Sequence, residues 1–237
     1  MDTVYIVMPA YNEKDNIESV IKEWYRVLEG KSDDSRLVIA DSGSTDNTHE
    51  IIQNMINNGY PKVEILSDTG KFHGPKVIAL YDYAIKSGAD YVFQTDSDGQ
   101  TNPDEFAAFW NEREQYDAIL GNRSIRGDGK DRAAVEKVVC LLCWIFFGVK
   151  VPDANAPFRL INTEVLKKYL VKLPVDYEIP NIILTSYLVK YEKRVCFKEI
   201  SFKPRQAGEN SINLKKIFKL GWKALSDFSK FRKDMRG

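Results

Sequence analysis

The chain is poor in the residues that build thiol and imidazole sites. It has three cysteines, Cys140, Cys143 and Cys196, and two histidines, His49 and His73. A zinc centre of the Cys/His type is hard to assemble from that stock. Cys140 and Cys143 do form a C-x-x-C, but inside Val-Val-Cys-Leu-Leu-Cys-Trp-Ile, an apolar and helical setting where cysteine serves as a small packing residue. Net charge is also lacking: 34 Lys and Arg stand against 34 Asp and Glu. No global field draws the chain to a polyanion, so no nucleic-acid partner is expected. The longest apolar run, Val138 to Val149, falls well short of the ~20 residues that cross a bilayer. Met1-Asp2-Thr3 leads straight into a strand-like run with no secretory leader, so the expected location is cytoplasmic. Repeats, linkers and low-complexity tracts are missing as well. One domain is expected over residues 1–211, with 212–237 a basic amphipathic helix of the same unit.

What is present is an alternation of two periodicities. Val4 to Met8 reads as a buried strand stopped by Pro9; Ile17, Val20, Ile21, Trp24, Tyr25 and Leu28 then recur at helical spacing up to Gly30. Leu37 to Ala40 is a second strand ending at Asp41, Val63 to Leu66 a third, and Tyr91 to Thr95 a fourth. Helical segments separate them, with Pro75 at one start and Gly88 at its stop. Asn102-Pro103 opens another helix with Phe106, Phe109 and Trp110 on its inner face. Strands joined by helical crossovers predict an α/β fold with a mostly parallel, twisted sheet and helices on both faces. The second half is less regular. Ala118 to Leu120 reads as a strand, Gly121 to Arg132 as a basic, Gly-rich loop, and residues 133–147 as a helix. Phe158 to Ile161, a helix near Ile182 to Val189, and a last strand over Val195 to Phe202 follow.

The first strand–helix turn carries neither a G-x-G-x-x-G nor a P-loop. It reads Pro9-Ala10-Tyr11-Asn12-Glu13: an aromatic ring, an amide and a carboxylate, which suit a base and its edges better than phosphates. Asp41 ends the next strand and would face the same crevice. Asn12 and Asp41 could equally cap the helices that follow them. After the fourth strand come Asp96-Ser97-Asp98 and Gln100. Two carboxylates two residues apart on an extended segment point to one side. At the carboxyl end of a parallel sheet, where such folds bind ligands, these oxygen donors suit Mg²⁺ or Mn²⁺ shared with a diphosphate.

The ordered set of motifs resembles the family 2 glycosyltransferases of GT-A fold, and within them the dolichol-phosphate-mannose-synthase-like branch. The matching residues are Pro9 to Glu13, Asp41-Ser42-Gly43-Ser44-Thr45-Asp46, Asp96 to Gln100, Gly121-Asn122-Arg123, Asp153 with Phe158-Arg159-Leu160, and Arg205 to Ser211. The resemblance implies an inverting, metal-dependent transfer of a sugar from a UDP- or GDP-sugar to polyprenyl phosphate or another lipid-linked or polysaccharide acceptor. It implies that Pro9, Tyr11, Asn12, Glu13 and Asp41 line the nucleotide pocket, with Lys76 beside them. It gives Asp96 to the sugar nucleotide and Asp98 and Gln100 to the metal. Two stretches depart from the pattern: Phe72-His73-Gly74-Pro75-Lys76 replaces an Asn-x-Gly turn, and Asp153 to Arg159 lacks a Ser-Gly before the aromatic.

A phosphate acceptor is already anionic and needs cations rather than a general base. Arg123, Arg126, Lys130 and Arg132 offer them, with Arg123 and Arg132 at family positions and Lys76, Arg159 and Arg205 in reserve. Asp153 and Glu178 are the base candidates for a hydroxyl acceptor. A sugar-nucleotide nucleotidyltransferase and a non-catalytic nucleotide-sugar-binding protein are the rival readings. The first would want a basic Gly-rich loop after the first strand, and the second would have no need of Asp96 and Asp98. From Ile212 on, Leu214, Ile217, Phe218, Trp222, Leu225 and Phe228 alternate with lysines in the manner of a helix lying on a membrane surface or packed on the body.

Overall fold

The computed structural model describes residues 1–126, 130–204 and 225–235. The strands are β1 (Val4–Ala10), β2 (Arg36–Asp41), β3 (Val63–Leu66), β4 (Tyr91–Gln94), β5 (Ala118–Arg126), β6 (Arg159–Asn162) and β7 (Val195–Phe202). The helices are α1 (Ile17–Tyr25), α2 (Thr48–Asn57), α3 (His73–Lys86), α4 (Phe106–Trp110), α5 (Lys130–Phe147), α6 (Thr163–Leu170) and α7 (Pro180–Tyr191), with α8 over residues 225–234. All seven strands form one sheet in the order β3-β2-β1-β4-β6-β5-β7. β6 pairs antiparallel with both β4 and β5, and the other pairings are parallel. The expected mostly parallel α/β sheet is therefore observed.

Each face of the sheet buries its own core. Ile6, Met8, Leu37, Ile39 and Phe93 look toward Ile17, Ile21, Trp24, Phe106 and Phe109. Val7, Val38 and Val92 look toward Val77, Leu80 and Tyr81 of α3 and toward Leu166, Ile183 and Leu184. The period of two along each strand divides the apolar residues between the layers. Burial of the thiols raises Cys140 to about 12 and Cys143 to about 11, so both stay protonated and packed.

Several elements differ from the sequence expectation. Pro9 does not stop β1, which runs on to Ala10. Val7 is the last residue to pair with β4, through the bond from Thr95 N to Val7 O at 3.0 Å. Pro9 lies on that same side, where β4 has turned away, so its missing N–H leaves no rung empty. Its carbonyl accepts from Ser97 Oγ at 2.8 Å instead. The basic stretch after Leu120 is not a loop: β5 continues through Gly121 to Arg126 against β7, and α5 begins at Lys130. Gly121 permits this, because a Cβ there would stand 2.9 Å from Phe158 O and 2.8 Å from Ile200 Cδ1. The α6 helix was not anticipated, although Asn162 caps it by accepting from Glu164 N and Val165 N.

The tail assignment over 212–237 falls largely on residues outside those described. In the described part, α8 lies on the body. Phe228 and Met235 are buried, and Phe228 meets Phe146 and Phe147 with ring centroids 5.9 and 5.0 Å apart. Among the described residues no helix is long and apolar enough to cross a membrane.

Candidate active site

The strand order turns at β1: β2 and β3 lie to one side of it, β4 to the other. Ligands of open α/β sheets sit at such a switch point, beyond the carboxyl ends of the strands. Ala10, Asp41 and Gln94 all end at this edge, which gathers the residues singled out in the sequence.

The β1 and β2 turns are clipped together. Asn12 adopts a left-handed conformation, φ 54°, that asparagine tolerates better than most residues. Its backbone N–H donates to Ser44 Oγ at 3.0 Å, and its Oδ1 accepts from Thr45 N at 2.8 Å. Glu13 N donates to Thr48 Oγ1 at 2.8 Å. Asn12 thus caps no helix; it fastens one loop to the other. Asp41, 3% exposed, accepts from Ser44 Oγ and lies 3.3 Å from His49 Nδ1. Lys76, 1% exposed, reaches from α3 to donate to Ala10 O at 2.5 Å. Its Nζ stands 5.3 Å from the centre of the Tyr11 ring. Burial lowers the Lys76 amine to about 8, with Asp41 pulling the other way. Pro9, Tyr11, Asn12, Glu13, Asp41 and Lys76 therefore share the β1–β2 edge.

Across β1, the segment after β4 is built around its own turns. Gly99 takes φ 72° and Gln100 N donates to Asp98 Oδ1 at 3.1 Å. Gln100 Nε2 donates to Lys203 O at 2.7 Å while Lys203 N returns a bond to Gln100 O at 2.8 Å. With its nitrogen engaged, Gln100 has its carbonyl oxygen as the end that could meet a cation. Asp96 Oδ1 is buried with no hydrogen-bond partner. Burial, then the neighbouring Asp98 charge and Glu13, push the Asp96 carboxyl up to about 8, against Arg123 and Arg159. An orphaned, buried carboxylate oxygen costs roughly 1–3 kcal/mol or more. A hard divalent cation would satisfy that oxygen, offset the repulsion between the two acids and use the Gln100 carbonyl, so the residues present fit such an ion. Among the described residues no cluster of three or more His, Cys, Asp or Glu side chains could hold a metal unaided. Remaining ligands would come from water or from the molecule the ion binds.

The wall formed by β5 and α5 is charged. Arg123 Nε lies 2.7 Å from Asp153 Oδ2, and one guanidinium nitrogen lies 2.9 Å from Oδ1, a two-pronged pair. The same nitrogen reaches Glu136 Oε2 at 3.2 Å. Glu136 Oε1 accepts from Ala154 N at 2.7 Å, which ties α5 to the loop carrying Asp153. The three side chains are only 7%, 2% and 13% exposed. Burial works to raise both acids. For Asp153 the bonds and charge of Arg123 outweigh it, and the carboxyl sits below its ordinary value. Glu136 sits above its own, through burial and the Asp153 charge. Glu136 escaped the sequence reading; the signal was a single acid between Ala133 and Phe147, a stretch whose one other charge is Lys137.

The remaining candidates are scattered. Arg132 lies half-buried in the first turn of α5. Arg159 is in the core, bonded to Ala156 O at 3.1 and 3.0 Å, Asn181 O at 3.3 Å and Thr185 Oγ1 at 3.3 Å. The side chains of Arg126 and Lys130, and Arg205 entirely, lie outside the described residues. Glu178 belongs to the loop that crosses the start of α3, where a Cβ on Gly74 would be 2.2 Å from Tyr177 O and 2.5 Å from Glu178 O. Gly74 is thus a packing requirement of this chain.

Comparison with known proteins bears on the family and the fold. The chain is 24% identical over 219 residues to an undecaprenyl-phosphate 4-deoxy-4-formamido-L-arabinose transferase of Edwardsiella ictaluri, covering 92% of this chain and 65% of that protein. It is 22% identical over 170 residues to a polyprenol monophosphomannose synthase of Mycolicibacterium smegmatis, covering 69% and 63%. The chain therefore spans somewhat under two thirds of the length of these relatives. Its fold is that of the glucosyl-3-phosphoglycerate synthase from Mycobacterium tuberculosis crystallised with Mn²⁺, uridine diphosphate and phosphoglyceric acid, with TM-score 0.70, 19% identity, and 96% and 78% of the chains covered. The model of the family described as "Glycosyl transferase family 2" matches residues 5–170, from the first strand through α6, and the chain belongs to that family.

Proposed function

We propose that the chain transfers a sugar from a nucleoside diphosphate sugar to polyprenyl phosphate, or to another lipid-linked or polysaccharide acceptor, with inversion at the anomeric carbon. One observation carries the reading: a buried, unpartnered Asp96 oxygen beside Asp98 at the β1/β4 switch point. The relatives named for polyprenol-type and undecaprenyl-phosphate acceptors support it, and the Mn²⁺- and uridine-diphosphate-bound neighbour supports a divalent ion and a nucleotide donor.

In this reading Tyr11, Asn12, Glu13 and Asp41 hold the nucleoside, with Pro9 shaping the turn and Lys76 near the ring of Tyr11. Asp96, Asp98 and Gln100 would hold Mg²⁺ or Mn²⁺, which when bound supplies counter-charge to the departing diphosphate. The bond from the anomeric carbon to the diphosphate oxygen breaks as an acceptor oxygen bonds to that carbon from the opposite face. Asp153 is held ionised by Arg123 at a depressed pKa, which makes it a poor proton acceptor. A hydroxyl acceptor would therefore find a weak base, whereas a phosphate needs none. Arg132 holds that phosphate, and Arg123 with Asp153 sets the wall beside it. A lipid-linked acceptor would bring the chain to a membrane as a peripheral protein on its cytoplasmic side.

Thermal unfolding in a panel of UDP- and GDP-sugars, each with and without Mn²⁺ or Mg²⁺, tests the reading through the stabilisation that ligand binding gives the folded state. One nucleotide class should raise the midpoint only with metal, and Asp96→Asn with Asp98→Asn should abolish the rise. The absence of any metal-dependent rise would overturn the assignment.

A further inference from the structure

The α5 helix shows two contrasting faces. Its inner face holds Cys143 and Phe147 in the core and turns Glu136 toward Arg123 and the Ala154 amide. Its outer face exposes Val138, Leu141, Trp144 and Ile145 by 50–56% each. These fall at i, i+3, i+6 and i+7, one continuous stripe down a helix. Large apolar side chains grouped this way on a surface mark a contact rather than chance exposure.

The charges around the stripe identify what it contacts. From Arg132 to Lys150 the sequence has a single acid, Glu136, and that carboxylate is turned inward. Among the described side chains from Arg132 to Lys150, the exposed charged ones are Lys137 and Lys150, both basic. An apolar band with Trp in it, edged by lysines and with no outward acid among the described side chains from Arg132 to Lys150, matches the helix that lies in the interface of an anionic bilayer. The α8 helix, by contrast, has its apolar residues Phe228 and Met235 buried on the body, so in its described part that face is already occupied. We infer that the outer face of α5, Val138, Leu141, Trp144 and Ile145, is the surface that seats this protein on a membrane containing anionic lipid. The inference rests on the lipid-linked acceptor proposed above and adds where the bilayer lies. Glu136, two residues before the stripe, fixes Arg123 and the Asp153 loop. A seated α5 therefore holds the charged wall of the site next to the lipid headgroups.

The test uses the full chain and vesicles of phosphatidylcholine with or without phosphatidylglycerol, in the absence of any donor. The triple variant Leu141→Ser, Trp144→Ser, Ile145→Ser should lose ~10-fold or more in partitioning to anionic vesicles, as removal of several buried apolar side chains dictates. A control variant, Val171→Ser with Val175→Ser, removes apolar residues that are 80% and 79% exposed elsewhere and should bind as the parent does. Thermal unfolding midpoints of both should match the parent, since none of the substituted residues is in the core. Equal vesicle binding by parent and triple variant would overturn the inference. So would a parent that ignores vesicles, or one that sediments as a dimer which the triple variant splits. Transfer to a short-chain, water-soluble prenyl phosphate reports on the proposed function alone: if it persists while vesicle binding fails, the docking surface is wrong and the activity stands.

Discussion

The two walls of the crevice are held by different kinds of bond. Where β1, β2 and β4 end, side chains are fixed by separate hydrogen bonds, neutral ones such as Asn12 to Thr45, Thr48 to Glu13 N, Ser97 to Pro9 O and Gln100 to Lys203 O, and single charged ones such as Lys76 to Ala10 O and Ser44 to Asp41. On the wall of β5 and α5 the fastening is ionic, Arg123 against Asp153 and Glu136, nearly dry. A neutral bond contributes about 0.5–1.5 kcal/mol and can be lost singly. A buried ion pair contributes little net to stability while intact, but removing one partner strands the other charge. The β1–β4 wall should therefore tolerate substitution and report on binding, and the β5–α5 wall should fail as a unit.

The largest effect expected is at Arg123. Arg123→Ala would leave Asp153 and Glu136 buried together without a counter-charge, at a cost of about 3–5 kcal/mol. Denaturant unfolding should show it as a fall in midpoint with an unchanged slope. Arg123→Ala with Glu136→Gln should recover part of that loss, because one of the two stranded charges is gone. If the single variant were as stable as the parent, the two walls would not differ in the way described.

Next in size is the acid pair of the opposite wall. Asp96→Asn with Asp98→Asn should lower the transfer rate ~10²-fold or more, the scale found when a group that stabilises developing charge is removed. Stability should stay level or rise, since two half-buried acids that repel each other are replaced by neutral amides. A variant that unfolded easily and lost activity only for that reason would erase the contrast with Arg123.

Arg132 separates acceptor from donor. Arg132→Ala should reduce transfer by ~10-fold or more while the affinity for the donor, read by thermal shift with metal, stays within twofold, because a charge-assisted contact to phosphate contributes about 1.5–3 kcal/mol. Loss of donor binding would move Arg132 to the nucleotide side of the crevice.

The same division explains what could be read from the sequence. The strands β1 to β4 were legible to within a residue or two because each is a local apolar run followed by its own helix; the largest miss is at Pro9, which β1 runs past to Ala10. The motifs at their ends were legible for the same reason, being turns of consecutive residues. The β5–α5 wall was not. Gly121 to Arg126 has the composition of a loop and becomes a strand only because β7, starting at Val195, lies beside it. The pairing of Arg123 with Asp153 and Glu136 joins residues 30 and 13 positions apart, and nothing in the local pattern of either announces it. Arg123 and Arg159 read as cations open to a ligand because sequence gives charge and not partners; the fold hands the first two carboxylates and the second three oxygens of the core.

The smallest effect is at Lys76, and it tests whether this charged fastening of the β1–β2 edge also attracts the ligand. The amine is lowered from its ordinary 10.5 to about 8 in the folded chain, chiefly by burial. Between those values the unfolded chain binds more protons than the folded one, so stability rises as pH climbs from about 8 toward 10.5 and is flat in this respect below 8. Donor affinity should move the other way. Protonated Lys76, beside Tyr11 in the proposed nucleotide pocket, attracts the anionic donor, and raising the pH through about 8 should weaken binding by a few-fold. Lys76→Met should remove both slopes, leaving a donor affinity that is weaker at pH 7 and level across the range. Titration of donor binding at several pH values in parent and variant decides it. Parallel curves would mean that Lys76 props the Ala10 carbonyl and nothing more, and that the β1–β2 edge recognises its ligand without a cation.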